Sequence, residues 1–253
     1  MTEKYLFDEE KKKDMEIRIE AVNSKIASAA KRSGRSIEDI TLIGVSKFFP
    51  PENAALAVSL GLDHLGENRV QEMLSKKEQV EAWGYFANWH LIGNLQLNKV
   101  KSIIGKTSLV HSVSSIKLLD EIEKRSEEKN TRTSVLLEIN IAKEKSKHGF
   151  LTEEVEKAVE YSQKLGNIEL CGIMSMAPLI SGVSQIGKTD GEESTPYFFK
   201  MKQLFDHLAG KTARKEQWRI LSMGMSQDYE TAIHCGATHI RVGTAIFGKR
   251  VIV

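Results

Sequence analysis

Residues 218–247 read WRILSMGMSQDYETAIHCGATHIRVGTAIF. Apolar and branched residues gather at each end, WRILSMGMS at 218–226 and THIRVGTAIF at 238–247, and QDYETAIHCGA between them has helical spacing. Two strands joined by a helix pair in parallel, because the chain has to cross the sheet before it can run in the same direction again.

The same rhythm extends back through the chain. Strand-like runs stand at 39–48, 64–68, 88–94, 107–113, 133–142 and 168–177, which with the two above makes eight. Helical patterns such as PENAALAVSLG, RVQEMLSKKEQVEAW, LQLNKVKSIIG, SSIKLLDEIEKRSEEKN and LTEEVEKAVEYSQKLGN separate them, with a longer one near 196–210. Eight strand and helix units in about 250 residues match a closed (β/α)8 barrel in number and length. A doubly wound open sheet is the competing architecture, but no G-x-G-x-x-G turn follows the first strand. Ahead of the repeats, Met15, Ile19, Val22, Ile26 and Ala29 recur at spacings of three and four, which predicts an additional amphipathic helix over about 11–33, ended at Gly34. The whole chain, 1–253, is expected to form one domain.

Composition narrows the function classes. Apolar residues make up 41% and charged residues 28%, and 36 basic against 34 acidic residues leave a formal charge of +2. That balance implies neither disorder nor a broadly basic face for nucleic acid. Cys171 and Cys235 are far apart and lie in no metal-ligand pattern, so they read as buried small hydrophobes and no metal site is expected. No export segment opens the chain and nowhere do 18 apolar residues run together, which predicts a cytoplasmic protein without a membrane partner. The polar, glycine-containing stretch at 181–194 reads as a loop.

Two features could carry chemistry. Lys47 ends the first strand in GVSKFFPP, on the same strand face as Ile43 and Val45. It could point to solvent, or stand on the inner face of the rim as an amine able to form a Schiff base with a carbonyl. The loops after strands seven and eight hold Ser222, Gly224 and Ser226 and then Arg241, Gly243 and Thr244. In barrels these two loops often cradle a phosphate with backbone N–H groups. Arg241 and Gly243 share a strand face. Glu67, Asn68, Arg69, His90 and Asn94 are polar groups near the same rim that caps or core hydrogen bonds would equally explain, and Met174, Met176, Met223 and Met225 read as core filler. The run 143–148 reads as a solvated loop.

The stretches GVSK, LGENRVQEM, WHLIGNLQLNK, INIAKEKSKHG, GIMSMAP and LSMGMSQDYETAIHCGATHIRVGTAIFG resemble the YggS-like pyridoxal phosphate homeostasis proteins, relatives of the barrel domain of alanine racemases, over about residues 44–248. The resemblance implies a fold type III barrel with pyridoxal 5'-phosphate bound by Lys47 as a Schiff base. It places the phosphate at Ser222, Gly224, Gly243 and Thr244, Arg241 at the pyridine nitrogen, and Asn68 as a further cofactor contact. Phe48, Phe49 and Arg69 depart from the residues common in the family. An arginine at the pyridine nitrogen leaves it unprotonated and the ring a poor electron sink, which argues against transamination. In alanine racemases a tyrosine from an additional β domain supplies a second base, and no such domain is expected before Val253. The resemblance therefore implies a monomeric carrier that buffers the cofactor, or delivers it transiently to apoenzymes, without turnover. An amino-acid racemase using Lys47 as one base is the alternative, and a barrel binding another phosphorylated metabolite is the third.

Overall fold

The structure, a computed structural model, describes residues 7–144, 148–176 and 190–249. Eight parallel strands close into a barrel in chain order: β1 (Thr41–Val45), β2 (His64–Glu67), β3 (Asn88–Leu91), β4 (Leu109–Val113), β5 (Thr133–Glu138), β6 (Ile168–Met174), β7 (Ile220–Ser222) and β8 (His239–Val242). The eighth returns to the first, with Gly44 level with Val242. All eight strands read from the sequence are present, each shorter than its apolar run. The barrel excludes the doubly wound alternative, since an open sheet would leave two edges.

Helix α1 (Glu9–Arg32) begins at Asp8, whose side chain accepts from the Lys11 N–H at 3.0 Å, and it carries Glu9 and Glu10 in its first turn and Lys31 and Arg32 in its last. Each sign opposes the helix dipole at that end. Its buried stripe is Met15, Ile19, Val22, Ile26, Ala29 and Ala30. The helices that follow are α2 (Pro51–Ser59), α3 (Val70–Ala82), α4 (Val100–Ile103), α5 (Ile116–Glu128), α6 (Val155–Ser162), α7 (Asp190–Ala209), α8 (Tyr229–His234) and α9 (Thr244–Phe247). α9 has four residues, too few to cover the outer face of its neighbouring strands. α1 packs against α8 and α9 and takes over that task, tied by an Arg18 Nε bond of 2.7 Å to the Ile246 carbonyl. The extra helix thus completes the outer ring.

Two predicted boundaries need correction. The run THIRVGTAIF does not stay extended to residue 247: β8 stops at Val242, and the Ile246 and Phe247 N–H groups turn back onto the Gly243 carbonyl. A four-residue apolar run cannot be told from a helix turn by periodicity. LQLNKVKSIIG forms only a 3-10 turn (Leu97–Lys99) and the single turn of α4. Of the loop at 181–194, residues 181–189 lie outside the described residues and 190–194 open α7; of the run 143–148, residues 145–147 lie outside them.

The core has two compartments. Most buried side chains, among them Leu65, Trp89, Val110, Val135, Leu137 and Ile240, lie between the sheet and the helices. A smaller apolar cluster of Leu109, Leu136, Cys171, Met174 and Ile220 lies inside the barrel. Cys171 and Met174 are three residues apart, not two, because the pairing of β5 with β6 slips one residue at Cys171. Gly172 absorbs the slip with φ +147, and a Cβ there would meet the Ile220 carbonyl oxygen at 1.9 Å. Both cysteines are free and buried.

Candidate functional site

The C-terminal ends of the strands form what is here the upper mouth. Lys47 follows Val45 by two residues in the turn between β1 and α2, and is half-buried. Pro50 and Pro51 end the turn and start α2 with a preset φ. On the adjacent strand Gly243 stands beside Val45: a Cβ on it would lie 3.4 Å from the Val45 carbonyl oxygen and 3.5 Å from Val45 Cβ. The Gly243 N–H donates to Ser226 Oγ at 3.1 Å, which joins the loops after β7 and β8. Gly224 sits at φ +91, where a Cβ would strike Ala232 at 2.5 Å, and its carbonyl accepts from the Arg241 N–H. Asp228 secures the same loop by accepting from the Met225 N–H at 2.6 Å and from Ser194 Oγ at 3.0 Å. Lys47, Gly224, Ser226, Gly243 and Thr244 therefore meet at one mouth. Asn68 follows β2 on the other side of β1, with its backbone against Gly93.

Arg241 lies below this rim, inside the barrel and only 4% exposed. Its Nη1 donates to Ser222 Oγ at 2.5 Å and its Nη2 to the Ser175 carbonyl at 2.8 Å. Burial lowers its pKa to about 10, opposed by the charges of Asp228 and Glu138. The Glu138 carboxyl is itself pushed up by burial. Ser222 is fully buried with its hydroxyl committed to Arg241 and to His111 Nδ1 at 3.0 Å, so it supports the guanidinium, and Ser226 is the hydroxyl beside Gly243.

Beneath Ser222 the interior holds a column of imidazoles. His111 Nε2 meets His90 Nδ1 at 3.0 Å, and His90 Nε2 meets His64 Nδ1 at 2.9 Å. His239 faces His90 with ring centroids 6.4 Å apart. Burial, then the neighbouring histidines, hold His90 and His111 well below the usual range, and burial first brings His239 down to about 4. Neutral imidazoles each donate once and accept once. The column is thus a head-to-tail chain that ends on a guanidinium able only to donate. A cavity of about 480 Å³ opens at the lower mouth, where His64, His90, His239 and Cys171 reach it.

His90, for which the sequence leaves a rim group or a core hydrogen bond open, takes the core role in this column. His64, His111, His239, Ser175 and Glu138 were not singled out. Their signal was the period-two placement of polar residues on buried strands, as in His239-Ile240-Arg241. Among the described residues no group of His, Cys, Asp and Glu is arranged to hold a metal ion, and no helix is long and apolar enough to cross a membrane.

A sequence profile of the alanine racemase N-terminal domain matches residues 19–251. The chain belongs to this family. The pyridoxal phosphate homeostasis protein of Aquifex aeolicus is 38% identical over 237 residues, 92% of this chain and 97% of that protein. Its Escherichia coli counterpart is 34% identical over 90% of this chain and 94% of that one. PipY of Synechococcus elongatus, solved with pyridoxal phosphate bound, has a TM-score of 0.72 at 30% identity and covers 88% of this chain and 100% of its own. An alanine racemase from Clostridium difficile shares the fold at 16% identity and TM-score 0.63, and is matched over 56% of its length.

Proposed function

We propose that the protein binds pyridoxal 5'-phosphate reversibly at the upper mouth and serves its intracellular homeostasis, by buffering the cofactor or passing it to apoenzymes. The observation that carries this is the juxtaposition of the Lys47 turn with the Gly243 turn on neighbouring strands, above a buried arginine, a group that can only donate. The residues fit the cofactor: the Gly243 turn lies against Val45, two residues before Lys47, so one small ligand can reach both turns, and a heteroaromatic nitrogen that accepts a hydrogen bond suits Arg241.

When bound, the cofactor supplies an electrophilic aldehyde. Lys47 would supply the amine, whose condensation with an aldehyde releases one water and is reversed by hydrolysis, so the attachment would be covalent yet reversible. Gly224, Ser226, Gly243 and Thr244 would hold the phosphate at this mouth, and Asn68 would be a further contact. Ser222 and the Ser175 carbonyl fix the guanidinium, and Arg241 would donate to the pyridine nitrogen without giving it a proton. That withholds the positive ring charge which transamination needs and so favours a carrier, whereas racemisation, which needs two placed bases, is the alternative tested below. A monomer in the cytoplasm suits this role.

Incubation with pyridoxal phosphate followed by borohydride should fix a mass adduct that peptide mapping locates on Lys47, and Lys47→Ala should abolish it. A protein that stays colourless and unmodified overturns the reading. Rapid solvent deuterium exchange at the α-carbon of amino acids would instead favour a racemase.

A further inference from the structure

The Lys47 turn is gripped from outside the barrel by charges that the binding site does not use. Lys76 on α3 is 3% exposed, and a buried ammonium is unfavourable unless its protons are taken up. They go to the Ser46 carbonyl at 2.8 Å, to Glu67 Oε1 at 2.5 Å and to Glu72 Oε1 at 3.2 Å. Glu67 Oε1 also accepts from Ser46 Oγ at 2.6 Å, and Glu72 Oε1 from the Phe48 N–H at 2.6 Å. The residues on both sides of Lys47 are therefore tied to one cluster.

Phe48 is held at φ +67, a conformation that side-chain-bearing residues avoid. An ion pair serving only to join α3 to the sheet would be satisfied at Glu67 and Ser46 and would have no need to reach a strained turn beyond the strand. Burying such a cluster also contributes little net stability compared with apolar side chains of the same size. Glu67 Oε2 remains buried with no hydrogen-bond partner, and burial raises the carboxyl's pKa, so the cluster is not arranged for maximal stability.

We infer that Glu72 and Lys76, braced by Glu67, are positioning residues for Lys47: they hold the turn in its strained form and so keep the amine over the mouth. The inference rests on the reading that Lys47 holds the cofactor. Glu72 is 22% exposed, which makes Glu72→Ala a variant that folds readily. It should lower the rate of borohydride-trapped adduct formation and the affinity for pyridoxal phosphate by about ten-fold or more, in a protein that melts lower than wild type but is still folded at the assay temperature. Exchange of the Phe48 amide proton in the cofactor-free protein should accelerate. Adding Phe48→Gly should restore part of the loss, because glycine reaches this φ without strain. The double variant Lys76→Met with Glu67→Gln should lose affinity in the same direction. Wild-type affinity, rate and amide exchange in folded Glu72→Ala would overturn the inference alone. Failure of the wild-type protein to form an adduct on Lys47 would overturn the functional reading and this inference with it.

Discussion

The two ends of the barrel interior are built on opposite principles. The upper mouth is made of turns, with Gly224 and Gly243 in the loops after β7 and β8, whereas the lower half is filled by side chains that satisfy one another. A substitution of Lys47 or Gly243 above should therefore change binding and leave folding largely intact, and one below should do the reverse; Gly224, whose added Cβ would strike Ala232, is the exception at the rim. Lys47→Ala is the extreme case for the upper end: complete loss of the borohydride-fixed adduct, read by intact mass, in a protein that melts as the wild type does.

A matched pair of glycines makes the comparison quantitative. Gly172→Ala places a Cβ at 1.9 Å from the Ile220 carbonyl oxygen at φ +147, a backbone clash that should cost about 4 kcal/mol or more, seen as a shifted denaturation midpoint or failure to fold. Gly243→Ala meets Val45 only at ordinary contact distances, 3.4 and 3.5 Å, and its φ of −108 suits any residue. Its stability should stay within about 1 kcal/mol of wild type while cofactor affinity, followed by absorbance titration, falls clearly. Similar binding losses or similar stability losses in the two variants would erase the distinction.

Acid should find the lower half first. A histidine whose pKa is depressed on folding takes up its proton more readily when unfolded, so stability is full above the unfolded pKa near 6.5 and is lost as pH falls toward the folded value. For His239, at about 4, the loss across that window is about 3 kcal/mol, and His90 and His111 act in the same direction. Urea midpoints measured between pH 7 and pH 4.5 should fall steeply, with more than one proton taken up on unfolding. A flat profile would mean that the column is charged or solvated in the native protein.

The same contrast explains what could be read from the sequence. The barrel was legible because eight apolar runs alternate with helical ones, and the rim was legible because glycine and small hydroxyl residues mark tight turns. The column was not, since single histidines inside apolar strands look alike whether they meet water, a helix or one another, and only closure of the sheet brings β2, β3, β4 and β7 together. Ser222 illustrates the difficulty: its neighbours in SMGMS suggest a phosphate loop, but it is the last residue of β7 and its side chain turns inward. Nor could spacing show that Glu72, one turn before Lys76 on α3, reaches across to a turn after another strand.

Removing one member of the column should expose its interdependence. Ser222→Ala leaves an Arg241 N–H and His111 Nδ1 without their shared partner, a buried loss of about 1–3 kcal/mol in stability. His111→Phe in that background should cost less than it does alone, and a double-mutant cycle on denaturation free energies measures the coupling. Additive effects would show that the two residues do not act as a unit.

The smallest effect belongs to the rim residues that depart from the family pattern. Arg69 places its guanidinium carbon 5.5 Å from the centre of the Phe48 ring, and Phe49 packs on Phe247 at 5.4 Å, so the unusual residues are matched to neighbours rather than loose. Phe48 is 52% exposed, and a cation over an exposed ring contributes only about 0.5–1 kcal/mol. Arg69→Ala should shift the melting temperature by a few degrees at most, and its coupling to Phe48→Leu should fall well below that between Ser222 and His111. A coupling as large as the interior one would mean that the turn carrying Lys47 is built as rigidly from its exposed side as the column is from within.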